Sequence, residues 1–151
     1  MDDIKFLQMA IEKSRESIAL GGYPVGSVIV RNGKILTSGV SNGKKRNDPT
    51  SHAEIDAIRA ACQTLGTRDL SDVVLYSSLE PCLMCFSAST WSSVPKVVYA
   101  CQRDRVSKQH YEGAHALSQI NETARHPIEL VHLSELEEQA LQIIENWEKS
   151  L

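Results

Sequence analysis

Residues 73–101 read VVLYSSLEPCLMCFSASTWSSVPKVVYAC, and this stretch decides the fold. Val73 to Ser77 is a short apolar run rich in β-branched residues, the composition of a buried strand. Pro81 then suits the first turn of a helix, because the amide it lacks would have found no partner there. A helix is therefore expected to start beside Cys82, with Lys96 to Cys101 forming the next strand.

Upstream, Ile4, Leu7, Ile11 and Ile18 recur at helical spacing until Gly21-Gly22, which predicts a helix over residues 3–20. Val25 to Arg31 and Lys34 to Val40 flank Asn32-Gly33, a pair that adopts positive φ readily, so an antiparallel hairpin is expected. After a polar loop from Ser41 to Pro49, residues 51–65 place Ile55, Ile58, Ala61, Cys62 and Leu65 on one apolar face ending at Gly66. That helix should start near His52. Downstream, residues 103–125 show no clear period, Ile128 to Leu133 reads as a fifth strand, and Ser134 as the cap of a last helix. Leu136, Ala140, Leu141, Ile144 and Trp147 share one side of that helix, so it is expected to cover the core. Strands alternating with helices after an opening hairpin imply an α/β fold, a mixed sheet with helices on both faces in three α/β/α layers. Neither a repeat nor a linker-like stretch divides residues 1–151, so one domain is expected.

The 151 residues carry 16 Lys plus Arg against 19 Asp plus Glu, a net charge of −3, and 42% are apolar. That balance argues against disorder, and there is no run of about 20 apolar residues to cross a membrane. The start Met1-Asp2-Asp3-Ile4-Lys5 carries acid where a secretory signal would be basic, so a cytoplasmic location is expected. In a reducing compartment the four cysteines, Cys62, Cys82, Cys85 and Cys101, point to metal binding or burial rather than disulfides. The slightly acidic balance favours a small-molecule substrate over nucleic acid.

The chemistry lies in His52-Ala53-Glu54 and, one strand later, Pro81-Cys82-Leu83-Met84-Cys85. Cys82 and Cys85 are three apart in a first helical turn, where the sulfurs share a face and the helix's positive end favours thiolates. With His52 they make an S₂N donor set for Zn²⁺ that leaves a fourth position for water, the mark of a catalytic rather than a structural site. Glu54 is placed to take a proton from that water and deliver it to a substrate nitrogen and the departing ammonia. Positions two apart on a helix point roughly 200° apart, so His52 should sit at the frayed start. The bland reading is a zinc-stabilised binding module with a hidden fourth ligand; Cys62 and Cys101 read as core residues instead.

Together these motifs resemble the zinc-dependent deaminase superfamily of cytidine, cytosine, guanine and tRNA adenosine deaminases, with its H-x-E and P-C-x-x-C signature. The likeness runs from Pro24-Val25-Gly26 through Asn47-Asp48-Pro49-Thr50 to Val97-Val98-Tyr99. It implies a central five-stranded sheet of the cytidine deaminase type, a homodimer, and hydrolytic loss of an exocyclic amine from a nucleobase. By position it makes His52, Cys82 and Cys85 the zinc ligands, Glu54 the proton shuttle, and Val25 part of the pocket wall. Relatives of the guanine and tRNA types carry a base-contacting Asn eleven positions before the zinc His; here that position is Ser41, with Asn42 beside it, and either takes the role. Tyr111 and Glu112 resemble the aromatic-acidic stretch that closes the pocket in bacterial guanine deaminases, although Gly113 stands where those tend to have a second acid. Ala53, between the motif residues, joins the substrate-facing set. Guanine or a similar purine is thus the leading substrate, ahead of tRNA adenosine and of cytosine or a nucleoside.

Trp91, ending the cysteine-bearing helix, is a candidate for stacking on a base or for a subunit contact, although partly buried packing is the commoner role. Lys44-Lys45-Arg46 reads as a solvated turn that would touch phosphate only if the substrate were a nucleotide. His110, His115, His126 and His132 lack metal-like spacing and receive no role.

Overall fold

The computed structural model of the chain describes residues 2–151. In chain order its principal elements are helix α1 (Asp3–Ala19), strands β1 (Gly26–Arg31) and β2 (Lys34–Val40), helices α2 (Gly43–Arg46) and α3 (Ala53–Leu65), and strand β3 (Val73–Leu79). Helix α4 (Leu83–Trp91), β4 (Lys96–Cys101), α5 (Leu117–Glu122), β5 (Glu129–His132) and α6 (Glu137–Lys149) follow.

Asp2 caps α1 by accepting the Lys5 amide at 3.1 Å, and the helix gives way at Gly21, whose φ of +79° suits a residue without a side chain. Asn32 and Gly33, at φ 53° and 73°, form the tight turn that folds β1 back on β2. The sheet order is β2-β1-β3-β4-β5: β1 pairs antiparallel with β2 and β3, while β3–β4 and β4–β5 are parallel.

Alternation along the strands divides the interior in two. Val28 and Val30 join Tyr76, Val98 and Ala100 under α1 and α6. Ile29 joins Leu75 and Val97 under α3, α4 and α5. Sheet sandwiched between helices is the mixed five-stranded, three-layer arrangement expected. Leu7 and Ile11 of α1 are fully buried, and each such side chain removed from water stabilises the fold by about 1.5–3 kcal/mol. Tyr76 also donates its hydroxyl to Asp3 at 2.5 Å, and Lys96 Nζ lies 3.2 Å from the same carboxylate. Burial opposes its ionisation, but these two partners hold the Asp3 carboxyl below its ordinary range and tie the start of α1 to the sheet.

Several local expectations need correction. The polar loop contains the single-turn helix α2, which ends at Asn47 in the left-handed conformation. Pro81 precedes the N-cap Cys82 instead of occupying the first turn of α4, so it fixes the entry to the helix from outside. Ser134 opens a 3₁₀ turn, and α6 follows with Leu136 as N-cap and no side-chain cap. Residues 103–125 hold two 3₁₀ turns and α5, pieces too short to show a hydrophobic period.

The helix that carries the zinc motif sits on the sheet through a glycine. A Cβ at Gly39 would collide with the Ala53 carbonyl oxygen and the Ala57 amide nitrogen, both backbone atoms of α3. Only a residue without a side chain lets α3 approach β2 this closely. Gly39→Ala should therefore destabilise the protein by roughly 2 kcal/mol or more, read as a lower urea midpoint. A midpoint equal to the wild type would mean that α3 does not depend on this approach.

Candidate active site

The ends of β2 and β3 deliver the starts of α3 and α4 to one place. His52 is the N-cap of α3 with φ −70° and ψ 163°, extended backbone outside the helical period. Its ring is therefore free of the roughly 200° separation that two helical positions would impose, and it shares a site with Glu54 in the first turn. Cys82 is likewise the N-cap of α4, and Cys85 lies one turn on. His52 Nδ1 is 3.5 Å from both the Cys82 and the Cys85 sulfurs, and the three donor atoms fall within 4.8 Å of one another. Tetrahedral zinc with bonds of about 2.3 Å to sulfur and 2.0 Å to nitrogen places such atoms ~3.5 Å apart. The donor set fits zinc in both geometry and chemistry.

The electrostatics suit a site that trades protons for a cation. The hydrogen bond with Cys85 is the main influence lowering the Cys82 thiol to about 5, against burial and with help from His52. The same contact and burial push Cys85 well above the ordinary thiol range, and the Cys82 contact raises His52. Glu54 is 3% exposed, and its Oε1 has no hydrogen-bond partner. Burial, reinforced by Cys82, pushes its carboxyl up to about 7. A carboxyl poised near neutrality beside a metal site is equipped to accept and return a proton.

His52, Glu54 and Cys82 open into a cavity of about 760 Å³ lined also by Val25, Ser41, Ala53, Tyr111 and Glu112, five of the residues expected to face substrate. Val25 and Ser41 are joined by one hydroxyl: Ser17 Oγ donates to the Val25 carbonyl at 2.5 Å and accepts the Ser41 amide at 2.9 Å. Glu112 caps α4, accepting the Leu83 amide at 3.0 Å and the Met84 amide at 3.5 Å. Burial opposes its ionisation, but these amides keep its carboxyl below the usual range. Tyr111 is fixed by its hydroxyl donating to the Glu80 carbonyl at 2.8 Å and by the Arg103 guanidinium 4.0 Å from its ring centre.

Two expected members are not part of this lining. Trp91 ends α4, nine residues and so ~13 Å along the helix from the cysteine end, and is 87% exposed. It borders a shallow groove with Cys62 and Arg68, which removes it from base stacking and from the partly buried packing expected of it. Asn42 does not line the cavity either; its amide donates to the Ser51 carbonyl at 3.0 Å, while its side-chain oxygen is buried without a partner. Cys101 is buried as expected, but Cys62 is only half-buried.

The sequence reading missed the outer wall. Tyr23, His110 and Trp147 line it, with ring centres 5.5–5.9 Å apart, and His110 Nε2 lies 2.8 Å from Glu148 Oε1. Trp147 had merged into the apolar face of α6, and His110 had no partner in its own segment to mark it. Lys44 also reaches the cavity, whereas Arg46 lies 3.6 Å from Asp56.

Residues 1–101 match the cytidine and deoxycytidylate deaminase zinc-binding region. The chain belongs to that family. This deaminase is 38% identical over 125 residues to the guanine deaminase of Bacillus subtilis, covering 82% of this chain and 80% of that protein. A tRNA-specific adenosine deaminase of Aquifex aeolicus is 38% identical over 95 residues, 63% of each chain. The X-ray structure of the Bacillus subtilis guanine deaminase superposes with a TM-score of 0.71 at 35% identity, covering 99% of this deaminase and 95% of that chain.

Zinc uptake by the deaminase must expel the proton of the Cys85 thiol, which its contact with Cys82 and burial push well above the ordinary range, and it competes with protons for His52, which the Cys82 contact raises. Apparent zinc affinity should thus rise with pH and weaken under acid. Calorimetric titration in two buffers of different ionisation enthalpy should show proton release, and Cys82→Ser or Cys85→Ser should lose the metal. Zinc uptake independent of pH would contradict this assignment.

Proposed function

We propose that the protein hydrolytically removes the exocyclic amine of a free purine-type base, guanine or a close relative, and releases ammonia. It is then an aminohydrolase acting on cyclic amidines. The observation that carries this reading is the aromatic wall of the cavity beside the metal cluster. The chain's own α6 supplies Trp147 to a wall completed by Tyr23 and His110, and Tyr111 and Glu112 line the same cavity, a shape suited to a small planar ring. The net charge of −3 supports a small substrate over a polyanion, as does the extent of the alignment with the Bacillus guanine deaminase.

In this reading His52, Cys82 and Cys85 hold zinc, which supplies Lewis-acid activation of water. Glu54 takes a proton from the attacking water at the carboxylate oxygen that has no protein partner and gives it to the ring nitrogen, then carries the remaining proton of the new hydroxyl to the amine, so that the C=O bond forms as the C–N bond breaks and ammonia leaves. Val25 and Ala53 give the base an apolar bed. Ser41 offers its hydroxyl to the base edge, and Glu112 keeps the lining loop against the start of α4 while its remaining lone pairs accept from the base. Burial by the substrate strengthens each of these contacts.

Lys44 at the cavity favours one second reading, editing of tRNA adenosine, since it and the exposed Lys45 next to it offer cations to a backbone phosphate. Inosine formation at an anticodon, with binding that falls steeply with salt, would select it.

Ammonia release from zinc-loaded protein should be measured over guanine, adenine, cytosine, their nucleosides and small aminated heterocycles. Release fastest from guanine or another free purine is the expected result; absence of release from the whole panel would refute the proposal. Glu54→Gln should lower turnover by about 10²–10⁴-fold while zinc content stays at the wild-type level. Unchanged turnover would remove Glu54 from the chemistry.

A further inference from the structure

Residues 111–113 are fastened one after another around the start of the helix that carries the cysteines. The Tyr111 hydroxyl donates to the Glu80 carbonyl at 2.8 Å, and Glu112 accepts the Leu83 and Met84 amides at 3.0 and 3.5 Å. The Gly113 carbonyl accepts Nη2 of Arg103 at 3.2 Å. The same guanidinium lies 4.0 Å from the centre of the Tyr111 ring, and the Arg103 amide donates to Oε1 of Glu80 at 3.1 Å. Glu80, Arg103 and Tyr111 thus close a ring of contacts two residues before the zinc-ligating Cys82.

Arg103 does not line the cavity, whereas Glu80, Tyr111 and Glu112 do. It is half-buried, and its Nη1 is enclosed without a partner among the described residues. Two residues on, Arg105 shows the commoner use of this side chain, pairing with Glu137 and Glu138 at 2.9 and 2.7 Å. A planar cation that serves a ring face and a main-chain carbonyl together can do so in few poses, so it fixes orientation.

We infer that Arg103 is a positioning residue: through Tyr111 and Gly113 it holds the Glu112 carboxylate on the start of α4, and so keeps the shape of the cavity on which substrate affinity depends. Without the guanidinium, residues 111–113 lose their anchor on the far side of Glu112 and the support of one face of the Tyr111 ring. The carboxylate then leaves the Leu83 and Met84 amides part of the time, and these first-turn amides have no partner within their own helix. Glu54 and the zinc ligands stand on other elements, at the starts of α3 and α4, so binding should suffer before turnover does. The effect on binding rests on the reading of the cavity as a site for an aminated base; the effect on the two amides does not.

Arg103→Met keeps the stem and removes the fork, and Arg103→Lys is the milder change that carries the test if the first variant fails to fold. Both are made in the zinc-loaded full chain. Arg103→Met should raise KM for guanine about 5- to 20-fold, with zinc content as in the parent and kcat within about 2-fold of it. Amide exchange at Leu83 and Met84, followed by NMR, should quicken about 3-fold or more while the amides of α1 keep their rates. Arg103→Lys should show the same pattern at smaller amplitude. A lower Tm with KM unchanged marks a purely structural arginine and overturns the inference, as do parental exchange rates at Leu83 and Met84. If the parent releases no ammonia from guanine, the proposed substrate fails by itself, and the two amides alone decide on Arg103.

Discussion

Everything in this protein depends on two helix starts held face to face. His52 and Cys82 are both N-caps, of α3 and α4, and both have extended backbones. An N-cap position frees the side chain from the helical period while leaving it beside unsatisfied amides and the positive end of the dipole. Two sulfurs and an imidazole thus meet at tetrahedral spacing without distorting either helix. The parallel pairing of β3 with β4 and the close seat of α3 on β2 exist, in effect, to keep those starts in register.

The same arrangement sets one carboxyl apart from the rest. Glu54 is buried beside the thiols and lacks a full set of hydrogen bonds, so neither its charged nor its neutral form dominates near pH 7. Glu112 is the contrast. Backbone amides at the start of α4 stabilise its charge, and it serves first as a cap that fastens the lining loop to the metal helix. Glu54 and Glu112 line one cavity and differ in charge state because two backbone amides serve Glu112 while one oxygen of Glu54 has no partner.

The metal centre was legible because its geometry is local: three residues spaced by a cap and a single helical turn carry it. The sheet and its flanking helices were legible from the alternation around Val73–Cys101 and from Asn32-Gly33. The outer wall was not. Trp147 occupies a position that helical spacing assigns to the core-facing stripe, and only the path of α6 across the molecule turns its ring toward Tyr23 and His110. Ser17 looks like a neutral helix residue until the residue before β1 and the residue after β2, Val25 and Ser41, bring a carbonyl and an amide to its hydroxyl. Trp91 departs in the opposite way: an aromatic residue on the metal helix invites a role in stacking on a base, but the length of α4 carries it to the surface.

The origin of the outer wall has an evolutionary consequence. Trp147 and His110 come from segments that supply no donor to the metal cluster and lie apart from α3, which carries Glu54. Selection can therefore reshape that half of the pocket by drift in the carboxy-terminal third, leaving the reactive half untouched. Descendants of one ancestral catalyst could diverge in diet while inheriting identical chemistry.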